Sequence, residues 1–131
     1  MDTDLRNKLK KKGIKRLVKS FKYAFDGLKY AFKYEQNITV HFIATLLVVI
    51  AGIYFKISTV EWLVLFLIIG LVIATELINT SIEATIDLIT DKIHPLAKVA
   101  KDTAAAAVLV FSLVALAIGF VIFIPKIIGL F

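Results

Sequence analysis

No cysteine occurs anywhere in the 131 residues. That excludes disulfides, thiolate metal sites and cysteine nucleophiles, and leaves the redox compartment open. Proline occurs only at Pro95 and Pro125, so helices have few forced interruptions. Acidic side chains are the minority, 10 against 16 basic ones, for a net charge of +6. The stretch from Trp62 to Ala74 carries no charge at all. Also missing are G-x-x-x-x-G-K-[ST], a protein-kinase Gly-rich loop, H-R-D and D-F-G, so no soluble phosphotransferase motif is present. The chain is short of polar surface as well. Hydrophobic residues make up 60% and the mean hydropathy is +0.88, more apolar surface than a soluble domain of this size could bury.

What is present reads as an all-α membrane protein, a single membrane domain over 1–131. Residues 1–13 form a basic arm, 14–36 an amphipathic surface helix, and 38–55, 62–88 and 103–124 transmembrane helices. In the surface helix Ile14, Leu17, Val18, Phe21, Phe25, Leu28 and Phe32 recur at three- and four-residue steps. Lys15, Lys19, Lys22, Lys29 and Lys33 fall largely on the other side, the pattern of a helix lying in the interface plane. The first apolar run stands behind a long basic segment with no small-residue cleavage site, so a cleavable signal peptide is not expected. Residues 1–36 hold 11 of the 16 basic residues. Ahead of membrane spans this charge suits cytoplasmic retention and anionic lipid, not nucleic acid. The N-terminus is then cytoplasmic. Residues 56–61 lie outside, 91–101 inside, and the polar features gather on the cytoplasmic face.

The second span carries the main clue. On a helix Glu76, Asn79, Glu83 and Asp87 fall within roughly 80° of one another. Like charges at i,i+4, as in Glu83 and Asp87, repel, and carboxylates near membrane depth are costly unless paired or functional. A divalent cation or basic partner groups would relieve both costs. Glu76 is the deepest acid. It either glues helices by hydrogen bonding to Asn79 or Thr75, or serves as a desolvated general base. Glu83 with Asp87, and Glu35, are candidate ligands for a hard cation such as Mg²⁺. Lys101-Asp102 could bind phosphate or simply snorkel. His41 reads as a packed residue just inside the first span.

These residues resemble the prokaryotic diacylglycerol kinase / undecaprenol kinase family. The likeness is carried by Glu76-Leu-Ile-Asn79-Thr-Ser-Ile-Glu83-Ala-Thr-Ile-Asp87, by Ala100-Lys101-Asp102, and by Phe25-Asp26-Gly27-Leu28 with Glu35. The resemblance covers roughly residues 14 to 124. It implies a homotrimer of three-span protomers in the bacterial cytoplasmic membrane, with sites built between protomers on the cytoplasmic side. It implies Glu76 as general base, Glu35 and Glu83 as Mg²⁺ ligands, and Arg16, Tyr23, Glu35, Glu83, Lys92, His94, Lys101 and Asp102 around ATP, supported by Asn79 and Asp87. The lysine-rich arm and the tail after Pro125 look more like the Gram-positive branch, whose members mostly phosphorylate undecaprenol. Diacylglycerol is the alternative acceptor.

Two other classes compete: a small cation carrier or channel using the acidic stripe, and a structural subunit whose polar residues only join helices. A transport path needs acids through the membrane depth. Here they cluster at one interface, which favours the kinase.

Overall fold

The computed structural model describes residues 13–92 and 94–131. Apart from Gly13, the basic arm lies outside the described residues. Among them the chain forms four helices: α1 (Ile14–Tyr34), α2 (Gln36–Tyr54), α3 (Thr59–Ile89) and α4 (Pro95–Ile128). It divides between Tyr34 and Glu35 into two compact units.

In α1 the apolar residues Ile14, Leu17, Val18, Phe21 and Phe25 are all exposed, as expected of a helix whose apolar stripe is meant for something other than a soluble core. Near its end the rings of Tyr30 and Tyr34 meet at 4.7 Å, and the Lys33 ammonium stands 5.1 Å from the Tyr34 ring centre.

The second unit holds α2, α3 and α4, each long and apolar enough to cross a membrane. Their outward faces are large aliphatic and aromatic side chains, among them Leu46, Leu47, Leu63, Leu67, Leu109 and Leu113. In water this surface would drive aggregation; in lipid it is the correct exterior. At 1.5 Å per residue α3 is roughly 46 Å long, against a hydrocarbon core of roughly 30 Å, so its acidic C-terminal part has room to leave the membrane. The two ends of the last helix differ most from the sequence expectation, and α3 also starts three residues early, at Thr59. α4 begins at Pro95, well before the apolar run, because proline needs no hydrogen-bond partner at the first helical position and His94 caps it. At the other end α4 runs on through Pro125 to Ile128; the backbone there continues the helix without the proline donor.

The α2–α3 connection is tight. Lys56 adopts a left-handed backbone (φ 49°), and Ser58 and Glu61 form a reciprocal cap: Glu61 N–H donates to Ser58 Oγ at 3.3 Å and Ser58 N–H to Glu61 Oε2 at 2.7 Å. This is the capping-box arrangement. The other oxygen, Glu61 Oε1, accepts from Lys126 Nζ at 2.6 Å, tying the start of α3 to the end of α4. Beside it a small core of Ile57, Leu65 and Ile122 is packed by Val48, Phe55, Trp62, Ile69, Ile118 and Phe123.

Gly52 is required by this packing. A Cβ there would lie 2.6 Å from Trp62 Cη2 and 3.1 Å from Ile57 Cδ1, and a ring wedged against a helix cannot simply swing aside. Gly52→Ala should therefore destabilise the protein by about 1–3 kcal/mol, the usual cost of overpacking. A lowered melting temperature in detergent would be the readout, and an unchanged one would show that the Trp62 ring relaxes freely.

Candidate active site

The site is built from two neighbouring groups of side chains. The first surrounds Glu76. This residue is 1% exposed, and neither carboxylate oxygen has a hydrogen-bond partner. Neighbours that could have occupied it are engaged elsewhere. Thr75 Oγ1 donates to the carbonyls of Leu71 and Val72 at 2.8 and 2.9 Å. Thr80 Oγ1 donates to the Glu76 backbone carbonyl at 3.0 Å. Asn79 Nδ2 donates to Glu83 Oε1 at 3.1 Å, while Asn79 Oδ1 is buried without a partner. Asn37 approaches the Glu76 carboxylate without completing a hydrogen bond, and His41, Glu35 and Glu83 are close enough to act on its charge.

A buried, unpartnered carboxylate costs several kcal/mol in general, and among the described residues none forms the hydrogen bond to Glu76 that helix glue would need. Glu35 occupies the N-cap position of α2, yet its side chain makes no cap bond. Glu35 and Glu83 are thus half-buried carboxylates near a third, with Glu83 held by Asn79.

The second group lines a cavity of about 310 Å³ at the α3–α4 turn, including Asp87, Lys92, His94, Lys98, Lys101 and Asp102. The turn is shaped by Thr90, whose Oγ1 accepts from Lys92 N–H at 3.1 Å. His94 Nδ1 accepts from Leu96 N–H at 3.2 Å, which commits that nitrogen to capping and leaves Nε2 for a ligand. Lys101 Nζ donates to Asp87 Oδ1 at 2.5 Å and also feels Glu83; Lys98 pairs with Asp102. Lys101 therefore joins the two groups. The start of α4 adds the positive end of its dipole, although Pro95 has no N–H and those of Leu96 and Lys98 are held by His94.

Of the residues expected from sequence, Glu35, Glu76, Asn79 and Glu83 gather in the first group, and Asp87, Lys92, His94, Lys101 and Asp102 around the second. Arg16 and Tyr23 lie on α1, in the other unit, and both are exposed. Among the described residues no three His, Cys, Asp or Glu side chains are grouped closely enough to hold a metal by themselves. A two-carboxylate site still suits Mg²⁺, which keeps waters and shares substrate phosphates. Asn37 and Ser112 were missed in the sequence. Ser112 Oγ is buried and unpartnered, and the only signal for it was one hydroxyl interrupting the apolar run from Val108 to Ile118.

The chain thus combines three helices able to span a membrane, a buried carboxylate and a cavity lined by three lysines, three aspartates and a histidine. The family comparison agrees: the profile of prokaryotic diacylglycerol kinase matches residues 22–123, and the chain belongs to that family. It is 47% identical over 113 residues to the undecaprenol kinase of Bacillus subtilis (strain 168), covering 86% of this chain and 92% of that one. To the diacylglycerol kinase of Synechocystis sp. it is 36% identical, over 87% of this chain and 66% of that one. To that of Helicobacter pylori (strain ATCC 700392 / 26695) it is 42% identical, over 77% and 79%. The protein is a kinase of bacterial membranes.

Proposed function

We propose that the protein transfers the γ-phosphate of ATP to the hydroxyl of undecaprenol, giving undecaprenyl phosphate and ADP. The observation that carries this reading is Glu76, buried and unpartnered, two turns of α3 inward of Glu83. At 1.5 Å per residue that separation is roughly 10 Å, which suits nucleotide at the interface and lipid hydroxyl slightly inside. The relative at 47% identity supports undecaprenol as acceptor; the relatives at 36% and 42% favour diacylglycerol as the second reading.

In the reaction Glu76 takes the proton from the lipid hydroxyl as its oxygen bonds to the γ-phosphorus. The bond from that phosphorus to the bridging oxygen breaks, and ADP leaves. Lys101, Lys92 and the start of α4 hold phosphate charge, and His94 Nε2, Asp102, Arg16 and Tyr23 complete the nucleotide's surroundings. Asn79 fixes Glu83, and Asp87 fixes Lys101. Glu35 and Glu83 would hold Mg²⁺, which supplies charge neutralisation on the phosphates. Phosphoryl transfer needs chiefly positioning and charge neutralisation, so no P-loop is required. Transfer of labelled phosphate from ATP to undecaprenol, but not to diacylglycerol, by purified protein is the test; the opposite preference selects the second reading.

On this reading full activity requires Mg²⁺. Excess EDTA should abolish turnover, and Glu35→Gln or Glu83→Gln should raise the KM for MgATP. Activity that survives chelation would remove the metal from the mechanism.

The basic end of the chain sets the N-terminus and the site in the cytoplasm by the positive-inside rule, with α1 along the interface. The assembly we infer is a homotrimer. Ala105, Ala106 and Ala107 are exposed on α4, small residues that let a neighbouring helix approach. Cross-linking in bilayers should stop at three copies; active enzyme that stops at two would refute the trimer.

A further inference from the structure

The first turn of α4 is capped by a group that can lose its capping ability. Proline restricts the residue before it to extended backbone, and His94 takes φ −119° and ψ 131°, the conformation an N-cap needs. From there the imidazole Nδ1 accepts the Leu96 N–H at 3.2 Å, and the His94 carbonyl accepts the Lys98 N–H at 3.0 Å. Pro95 brings no donor of its own. One residue thus holds the first turn through both its side chain and its backbone.

Helices are ordinarily capped by Ser, Thr, Asp or Asn, whose oxygens go on accepting throughout the neutral range. An imidazole nitrogen accepts only while it is unprotonated. With Nδ1 bare, the proton of the neutral ring sits on Nε2. Because His94 also lines the 310 Å³ cavity, this tautomer offers the cavity a fixed donor.

A second proton can go only to Nδ1. It sets two donors against each other at Leu96 and puts positive charge at the positive end of the α4 dipole. The ring must then turn away, leaving the Leu96 N–H without its acceptor. On the cavity side nothing new is gained, since Nε2 carries a proton in both states. The charged groups lining the same cavity are Asp87 on α3, Asp91 and Lys92 in the turn, and Lys98, Lys101 and Asp102 on α4. Lys101 engages Asp87 and Lys98 engages Asp102, while the ring's own hydrogen bond is the one to Leu96.

We propose that His94 is a proton-operated cap on the nucleotide cavity. Neutral, it fastens the start of α4 and presents an Nε2–H donor; protonated, it releases the turn that carries Ala97 and Lys98 into the cavity. The consequence for catalysis rests on the kinase reading. Glu76 stands eleven residues inward of Asp87 on α3, roughly 16 Å, so the cap acts on the KM for MgATP and not on kcat. His94 is here a positioning residue.

The test measures both constants for the full, untagged chain in nanodiscs, with undecaprenol as acceptor, in wild type and His94→Asn. Asparagine caps a helix through an oxygen that does not titrate, and dividing the two profiles cancels the titrations of ATP and of Glu76. Imidazoles as a class change charge between about pH 5 and pH 8. On going from the upper to the lower end of that range, the ratio of wild-type to variant KM should rise about fivefold, the factor that one N-cap is worth. The ratio of kcat values should stay level. A KM ratio that is flat, or that falls as an added phosphate-binding cation would make it fall, would overturn the proposal.

The tautomer is read directly by ¹⁵N resonance of labelled histidine rings, which needs no activity. His94 and His41 are the two imidazoles of the chain, so His94 is assigned by its loss in His94→Asn or as the sole ring in His41→Gln. At the alkaline end Nδ1 should be bare and Nε2 protonated. The reverse tautomer, or a ring exchanging between the two, would refute the cap. A wild type that phosphorylates no lipid would instead overturn the kinase reading, and the ring resonances would still decide the cap.

Discussion

Glu76→Gln should cost the enzyme roughly 10²–10⁴-fold in turnover, the range associated with losing a positioned acid–base group, while leaving the assembled protein and its MgATP affinity intact. Glutamine keeps the size and most of the hydrogen-bonding capacity of glutamate but cannot accept the hydroxyl proton. Because neither carboxylate oxygen has a partner among the described residues, the substitution breaks no hydrogen bond among them. It also removes a buried charge, so the melting temperature should hold or rise. That sign separates two readings. Were Glu76 a structural joint between copies, the variant would melt earlier and lose activity only as folded trimer is lost. Turnover and melting temperature on the same preparation distinguish them; a stable and fully active variant would end the general-base assignment.

The architecture was legible because lipid-exposed helices declare themselves by length and apolarity. The chargeless run from Trp62 to Ala74 and the run after Thr103 needed no packing information to be read as helices. Their ends were less legible. Pro95 reads equally as an end and as a beginning, and only the His94 cap decides for the latter. The acidic stripe could be placed on one helix face from spacing alone, but not the fate of each oxygen. That Asn79 holds Glu83 and not Glu76, and that Thr75 turns back to its own helix, depend on rotamers. Asn37 and Ser112 went unread for a related reason. Each stands alone in its stretch, and its value comes from the helix it faces, which no local pattern encodes. The pairing of Asp87 with Lys101 across fourteen positions is of the same kind.

That pairing makes Lys101 the residue whose loss should most weaken use of ATP. Lys98 and Lys101 both line the interfacial cavity, one turn and two turns into α4, but their surroundings differ. Lys98 has a side chain 71% exposed and pairs with Asp102 on its own helix; an exposed pair of that type contributes little. Lys101 is 36% exposed, reaches across to Asp87 on α3, and also feels Glu83, which places its ammonium between the proposed metal-binding carboxylate and the cavity. A phosphate arriving there meets a cation already held in position, and such preorganised charge gives the largest gains as charge shifts in the reaction. Lys101→Met should therefore lower kcat/KM for ATP by roughly 10²–10³-fold, the cost of removing one preorganised electrostatic group. Lys98→Met should lower it by less than about tenfold, as befits an exposed pair. Asp87→Asn provides the control, since it removes the same inter-helix tie but leaves the ammonium. If Lys101 only ties α3 to α4, Asp87→Asn and Lys101→Met will match in both activity and melting temperature. If it binds phosphate, Asp87→Asn will keep most of the activity that Lys101→Met loses. Equal losses in the two variants would assign Lys101 to the scaffold and leave the phosphates to Lys92 and the start of α4.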